Sequence, residues 1–259
     1  MGFWLQENSW KEAKQLIKNS KGVAIIPVGS VEQHGYHLPL GTDSYTAIGL
    51  AQDAAEQIEV LIAPPIWYGW APHHMILSGT VSIRPKVLID FLFDIIASLS
   101  IHGVTKFIII NGHRMVNIPW MQIAAEQAQR ELGVVVKIFD PAYMGKEILP
   151  ELDFGYLGHA EEIETSHMMH LHPKMVHLDL IKKDDPIIPE ELYSVSPSYT
   201  GDTLCYVPST PKEMKKIAEV SGGSVGEPSK STAEKGRKLH EHLIKNLVRV
   251  IQILQQMEA

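Results

Sequence analysis

Val23-Ala24-Ile25-Ile26-Pro27-Val28, running straight into Gly29-Ser30-Val31-Glu32-Gln33-His34-Gly35, is the stretch that decides the fold. A short, unbroken apolar run marks a strand buried on both faces, as in a parallel sheet with helices above and below. Upstream, Ser9 and Glu12 carry the capping-box spacing ahead of a helix with Ala13, Leu16 and Ile17 on its apolar side. Downstream, the pattern predicts a helix over 44–58, a strand over 60–63 and a helix from Pro85 that stops at Gly103. A strand over 106–110, a helix over 117–132 ended by Gly133, and a strand over 134–139 follow. Strand and helix alternate throughout, which predicts an α/β chain with a mostly parallel sheet covered on both faces. A last helix over 232–257 closes what reads as a single domain, 1–259. Residues 184–231, rich in Pro, Ser, Thr and Gly, are expected to be an irregular excursion within it.

The 259 residues suffice for a sizeable core. A formal net charge of −7 without a clustered basic patch excludes an electrostatic nucleic-acid binder. The lone Cys205 excludes an internal disulfide framework and a Cys-rich zinc site, and is expected to be a partly buried free thiol. No apolar run reaches the roughly 18 residues of a membrane span, and no basic-then-apolar leader is present. The expectation is a cytoplasmic protein with no membrane partner. Thirteen histidines direct attention to metal ligands.

Ligands of open α/β sheets bind beyond the carboxyl ends of the strands, and two of the predicted strands run into histidine-bearing turns. The first leads to Glu32 and His34, which share a side of an extended chain, and on to Asp43 just before the second helix. Read alone, a helix cap at Asp43 and solvent-facing Glu32 and His34 account for these residues too. The third strand leads to Asn111-Gly112-His113, where Gly112 supplies backbone freedom and packing gives little reason for the histidine. The segment His159-Ala160-Glu161-Glu162-Ile163-Glu164-Thr165-Ser166 opens a helix. Glu161 and Glu162 suit first-turn acids, whereas Glu164 sits deeper, on the side of His167 and Met168. Together Glu32, Asp43 and Glu164 offer oxygen and His34 and His113 nitrogen, a mixture suited to Zn²⁺, Mn²⁺ or Fe²⁺ rather than Ca²⁺ or Mg²⁺. Three carboxylates against two divalent cations leave one positive charge, which a single hydroxide neutralises, a sensible resting state for metal-assisted hydrolysis.

Gly29 to Gly35 with Asp43, Asn111-Gly112-His113, and His159-Ala160-x-Glu162-Ile163-Glu164-Thr165-Ser166 resemble the three signature segments of the creatininase (creatinine amidohydrolase) family. Tyr68-Gly69 with His74 and Gly79-Thr80, and Gly226-Glu227-Pro228 with Thr232 to Gly236, are similar to two supporting segments, in the right order over nearly the whole chain. The resemblance implies a three-layer α/β/α domain, a homo-oligomer (often a hexamer) and two divalent ions per chain. It implies that Glu32, Asp43 and His113 hold one ion, that His34, Asp43 and Glu164 hold the other, and that Asp43 bridges. His159 becomes the catalytic proton shuttle, and substrate contacts fall to His74 and Tyr143. Three positions depart from the pattern. Arg114 opens a longer turn where creatininase proper has a nearby carboxylate, Glu161 replaces a small residue, and Ser78 replaces a proline. The expected activity is therefore hydrolysis of a non-peptide C–N bond in a small polar cyclic amide or formamide other than creatinine. The alternatives are C–C hydrolysis of a cyclic diketone such as a keto-inositol, and a catalytically silent metal-binding protein.

Overall fold

The first strand, β1 (Val23–Val28), is buried along its whole length in the computed structural model. It pairs in parallel with β2 (Leu61–Ile62) on one side and β3 (Lys106–Asn111) on the other, and β4 (Val135–Phe139) adds to β3, again in parallel. The sheet order is β2-β1-β3-β4. The structure describes residues 2–114, 116–155, 157–185 and 210–258, and the backbone of 193–194 and 205–206.

The helices are α1 (Trp10–Asn19), α2 (Thr42–Gln57), α3 (Pro85–Ile101), α4 (Ile118–Leu132), the short α5 (Pro141–Met144), α6 (Glu162–Leu171), α7 (Pro211–Ser221) and α8 (Ala233–Gln256). Strand alternation sorts them into layers. Val23 and Ile25 of β1 and Ile108 and Ile110 of β3 pack with Leu50 and Ala51 of α2 and Leu243 and Leu247 of α8. Their neighbours Ala24, Ile26, Phe107 and Ile109 point the other way, to Leu16 of α1, Leu92 and Ile96 of α3 and Trp120 of α4. A strand of period two that is apolar at every position needs two cores, and the chain supplies both. The result is the expected α/β/α arrangement around a parallel sheet.

From β1 the chain crosses by α2 to β2 on one side, then by α3, on the opposite face, to β3 on the other side. That reversal opens a crevice at the carboxyl ends of β1 and β3. Local signals set the element ends. The Ser9–Glu12 capping box forms at the start of α1, and Gly133 caps α4 in the left-handed conformation at φ 68°.

Two expectations need correction. The second helix starts at Thr42, so Asp43 lies inside its first turn and Gly41 takes the cap position. Residues 184–231 are not irregular throughout. They contain α7, which opens with a Thr210–Glu213 capping box and Pro211. The Thr-Pro-x-Glu signal was present but surrounded by turn-forming composition. Residues 186–209, with the Cys205 side chain, lie outside the described residues except for the backbone of 193–194 and 205–206. Among the described residues no helix is long and apolar enough to cross a membrane.

Candidate metal centre

Glycine at the two strand ends brings α2 into the crevice. A Cβ on Gly112 would lie 1.9 Å from the Asp43 carbonyl oxygen, and one on Gly29 would lie 2.4 Å from the Ser44 Cα. Gly112 does not have a positive φ; what it provides is close approach rather than conformational freedom. Bare backbone on both sides lets the first turn of α2 seat Asp43 between the turns that carry Glu32, His34 and His113. Asn117 braces the same corner, donating to the Gly29 carbonyl at 3.1 Å and accepting from the Trp70 N–H at 3.2 Å and the Trp120 indole at 2.8 Å.

Four of the five predicted ligands are fully enclosed: Glu32 and His34 are 0%, Asp43 2% and His113 4% exposed. Glu164, from α6, closes the group. Asp43 stands at its centre. Its Oδ1 is 3.1 Å from His34 Nε2 and its Oδ2 is 3.0 Å from His113 Nδ1. Glu32 Oε2 is 3.2 Å from His113 Nε2, and Glu164 Oε2 is 3.7 Å from His34 Nε2. Two triads of donor atoms close enough to share an ion result, Glu32–Asp43–His113 and His34–Asp43–Glu164, with Asp43 common to both.

His34 is held by its far nitrogen, Nδ1 donating to the Glu32 carbonyl at 3.1 Å. Anchoring one N–H fixes the tautomer that turns the other nitrogen's lone pair inward, the usual support for a metal-binding histidine. His113 Nε2 lies between the Trp70 carbonyl at 3.3 Å and Glu32 Oε2 at 3.2 Å. Glu32 Oε1 is nevertheless buried without a hydrogen-bond partner, and Asp43 Oδ2 is met only by the His113 ring at 3.0 Å. Bare carboxylate oxygens in a dry site are costly unless something positive meets them, so the residues present fit divalent cations.

The electrostatics of the ion-free site agree. Burial works to lower His34 and His113, but Asp43 and its neighbouring carboxylates outweigh it, raising His34 to about 10 and His113 to about 9. Burial lifts Glu32 to about 7 against the pull of His113. Asp43 is also pushed upward by burial, yet His34 and His113 hold it well below the ordinary carboxylate range. Protons on two histidines stand in for the charge that cations would bring.

A third triad, Glu32–His34–His159, adjoins these two. His159 Nε2 donates to the Gln33 carbonyl at 2.6 Å, leaving Nδ1 directed at the site, 3.7 Å from Glu32 Oε1. Burial lowers its pKa to about 3, with His34 adding to the effect. His74 is buried beside it, the rings stacked at 4.3 Å, with Nε2 3.4 Å from Glu32 Oε1. Tyr143 sits on α5, 41% exposed. It is not among the residues lining the small cavity beside Asp43, which include Gly112, Arg114, Glu164 and His167.

A family model described as creatinine amidohydrolase matches residues 6–251. The chain belongs to the creatininase family. It is 26% identical over 261 residues to a 3-dehydro-scyllo-inosose hydrolase of Thermotoga maritima, covering 96% of this chain and 83% of that protein. It is 29% identical over 217 residues to a creatinine amidohydrolase of Pseudomonas putida, covering 75% and 82%. A mycofactocin precursor peptide peptidase of Mycolicibacterium smegmatis is 28% identical over 230 residues, covering 86% and 81%. A crystal structure of creatininase superposes with a TM-score of 0.80 at 25% identity, covering 99% of each chain. A mutant creatininase described as Zn-Zn type gives 0.79 at 25% identity, covering 99% of this chain and all of that one. The fold and the status of a creatininase-family hydrolase follow.

Sequence reasoning missed two contributors to this creatininase-family site. Gln33 holds His159 by its carbonyl, and its side chain reaches His74 Nδ1 at 2.9 Å and donates to the Gly223 carbonyl at 3.0 Å. Arg114 grips Glu164, with Nε donating to Oε1 at 3.0 Å. Both are neighbours of predicted ligands, and Arg114 is also a position where the sequence departs from the family pattern.

Proposed function

We propose that this protein is a hydrolase working with two divalent ions, Zn²⁺, Mn²⁺ or Fe²⁺, on a C–N bond of a small polar cyclic amide or formamide. The observation that carries the two-ion reading is Asp43, whose two oxygens serve two different donor triads. Glu32, Asp43 and His113 would hold one ion, and His34, Asp43 and Glu164 the other. When bound, such ions polarise a carbonyl and make water a nucleophile at neutral pH.

The residues supply the rest. Burial favours the neutral form of His159, and with Nε2 tethered to the Gln33 carbonyl its Nδ1 faces the centre. It takes a proton from the attacking water and hands it to the departing nitrogen, a task for an imidazole whose other nitrogen is tethered. His74, stacked on His159 and hydrogen-bonded to Gln33, limits where that ring can lie and walls the substrate side, and Tyr143 is assigned to the outer rim. Burial of Glu32, His34 and Asp43 excludes bulk water and strengthens every charge interaction among them.

A second reading keeps the machinery and changes the bond. The inosose hydrolase aligns over 96% of this chain, which favours hydrolysis of a cyclic diketone, with His159 protonating an enolate carbon. A screen of the Zn²⁺-, Mn²⁺- and Fe²⁺-loaded protein against cyclic amides, formamides, keto-inositols and a short peptide separates the readings. Turnover of an amide alone supports the first, and turnover of a keto-inositol alone supports the second. Cleavage of the peptide alone overturns both, and ion binding without any turnover points to a silent descendant. The same reading includes one domain per chain and a hexameric, cytoplasmic assembly, supported by family resemblance and tested by sedimentation equilibrium and by localisation of a tagged chain.

A further inference from the structure

Beside the ligands lies a second set of buried charges. Arg114 follows His113 directly, and its side chain is 9% exposed. Its Nη2 is 2.6 Å from Glu161 Oε1 and 2.5 Å from Glu164 Oε1, to which its Nε also donates. Glu161 is wholly buried. Its second oxygen, Oε2, accepts the Ile163 N–H and so caps α6. Arg114 is thus held on one side by an acid that is itself pinned to a helix start.

The consequence falls on Glu164. Arg114 engages its Oε1, while Oε2 accepts the Ala160 N–H at 2.6 Å and is the oxygen 3.7 Å from His34. Ala160 adopts φ 49°, a left-handed conformation rare outside glycine, and this is what aims its N–H at the carboxylate. Glu164 is therefore fixed in one orientation with one oxygen turned to the centre. Charge balance explains why two partners are needed. Arg114 alone would set an uncompensated cation beside a site for cations, and Glu161 alone would crowd a second buried anion against Glu164. Arg114 and Glu161 are also two of the three positions where the sequence departs from the family pattern, and here they touch.

We propose that Arg114 and Glu161 form a charge-balanced clamp that presents Glu164 as a one-oxygen ligand, making Arg114 a positioning residue of the metal centre. The clamp rests on the two-ion reading and deepens it.

The test is a double-mutant cycle of Arg114→Gln, Glu161→Gln and the double variant, read by Mn²⁺ affinity from chelator competition and by melting of the ion-free protein. Each single change is expected to weaken the second Mn²⁺ by about 10- to 100-fold while leaving the first within about twofold, the usual range for groups supporting a ligand. The double variant should lose no more than Arg114→Gln alone, because Glu161 acts on the centre only through Arg114. Variants that melt lower without ions but bind both Mn²⁺ as wild type does would reduce the pair to a structural ion pair and overturn the clamp, as would strictly additive losses. Should Arg114→Gln fail to fold, Arg114→Lys keeps the charge but not the fork. It should show the same selective loss, and unchanged affinity there contradicts the proposal. Wild-type protein that binds fewer than two Mn²⁺ overturns the two-ion reading and the clamp with it, whereas two tight ions unaffected by any variant overturn the clamp alone.

Discussion

Helix α6 serves two histidine-rich clusters, and they are finished in opposite ways. On one side His167 Nε2 meets His240 Nδ1 at 2.8 Å, and His240 Nε2 meets Asp53 Oδ2 at 2.8 Å. Burial lowers the pKa of both rings, each ring adding its own neighbours' influence, and the chain of hydrogen bonds is complete. On the other side Glu164 looks toward His34, Asp43, Glu32 and His113. Among the described residues, five buried side-chain atoms lack a well-directed hydrogen bond: Glu32 Oε1, His37 Nδ1, Asp43 Oδ2, Asn111 Oδ1 and Arg114 Nη1. All belong to the ends of β1 and β3, the turns after them, or the first turn of α2. Histidine and carboxylate occur in both places, so composition does not tell them apart. A cluster whose members satisfy one another is complete as folded, while one that converges with bare oxygens is completed by cations.

The harshest way to break this contrast is Asp43→Asn, which removes the charge both triads share. It should abolish binding of both ions and lower kcat/KM by roughly three orders of magnitude or more, about 4 kcal/mol of barrier. Elemental analysis beside kinetics checks it, and a variant that still holds two ions contradicts the shared role. His159→Asn comes next. It should keep both ions and lose about 10²–10⁴ in rate, with the loss shrinking as leaving groups improve. Loss of an ion instead would move His159 into the ligand set, where the Glu32–His34–His159 triad gives it a place.

Proton balance sharpens the comparison further. In the ion-free site His34 and His113 stay protonated up to about 10 and about 9, and ligation requires them neutral. Ion uptake should therefore release protons, and affinity should rise with pH from about 6 to about 8. Calorimetry in buffers of different ionisation enthalpy measures the release, and a pH-independent affinity contradicts it. The smallest effect belongs to the complete cluster. His240→Gln should cost about 1–3 kcal/mol of stability through an imperfectly replaced buried hydrogen bond, with ion content and kcat/KM unchanged. Urea melts with activity assays check this pair of outcomes.

The sheet was legible because β1 and β3 are apolar at every position, which only a doubly covered strand explains. The convergence of Glu32, His34, Asp43, His113 and Glu164 was legible because they lie on the chain just past those strands and at the starts of α2 and α6. Less accessible was how the segments meet. Nothing in Asn111-Gly112-His113 says that its glycine yields space to the backbone of Asp43. Nor does the sequence say that Arg114 reaches across to Glu161 and Glu164, about fifty residues on, since a side chain's partner at that separation is set by packing rather than by spacing. Helix α7 was hidden for a different reason. Its Thr210–Glu213 cap is local, but a turn-rich neighbourhood outweighed one capping box.

The central claim is that Asp43 stands between two ions in each chain. Its most direct test is the metal content of wild-type protein purified without chelators and then saturated with Zn²⁺ or Mn²⁺, measured by elemental analysis against chain concentration. Two ions per chain are expected. One ion per chain, or none, would contradict that claim.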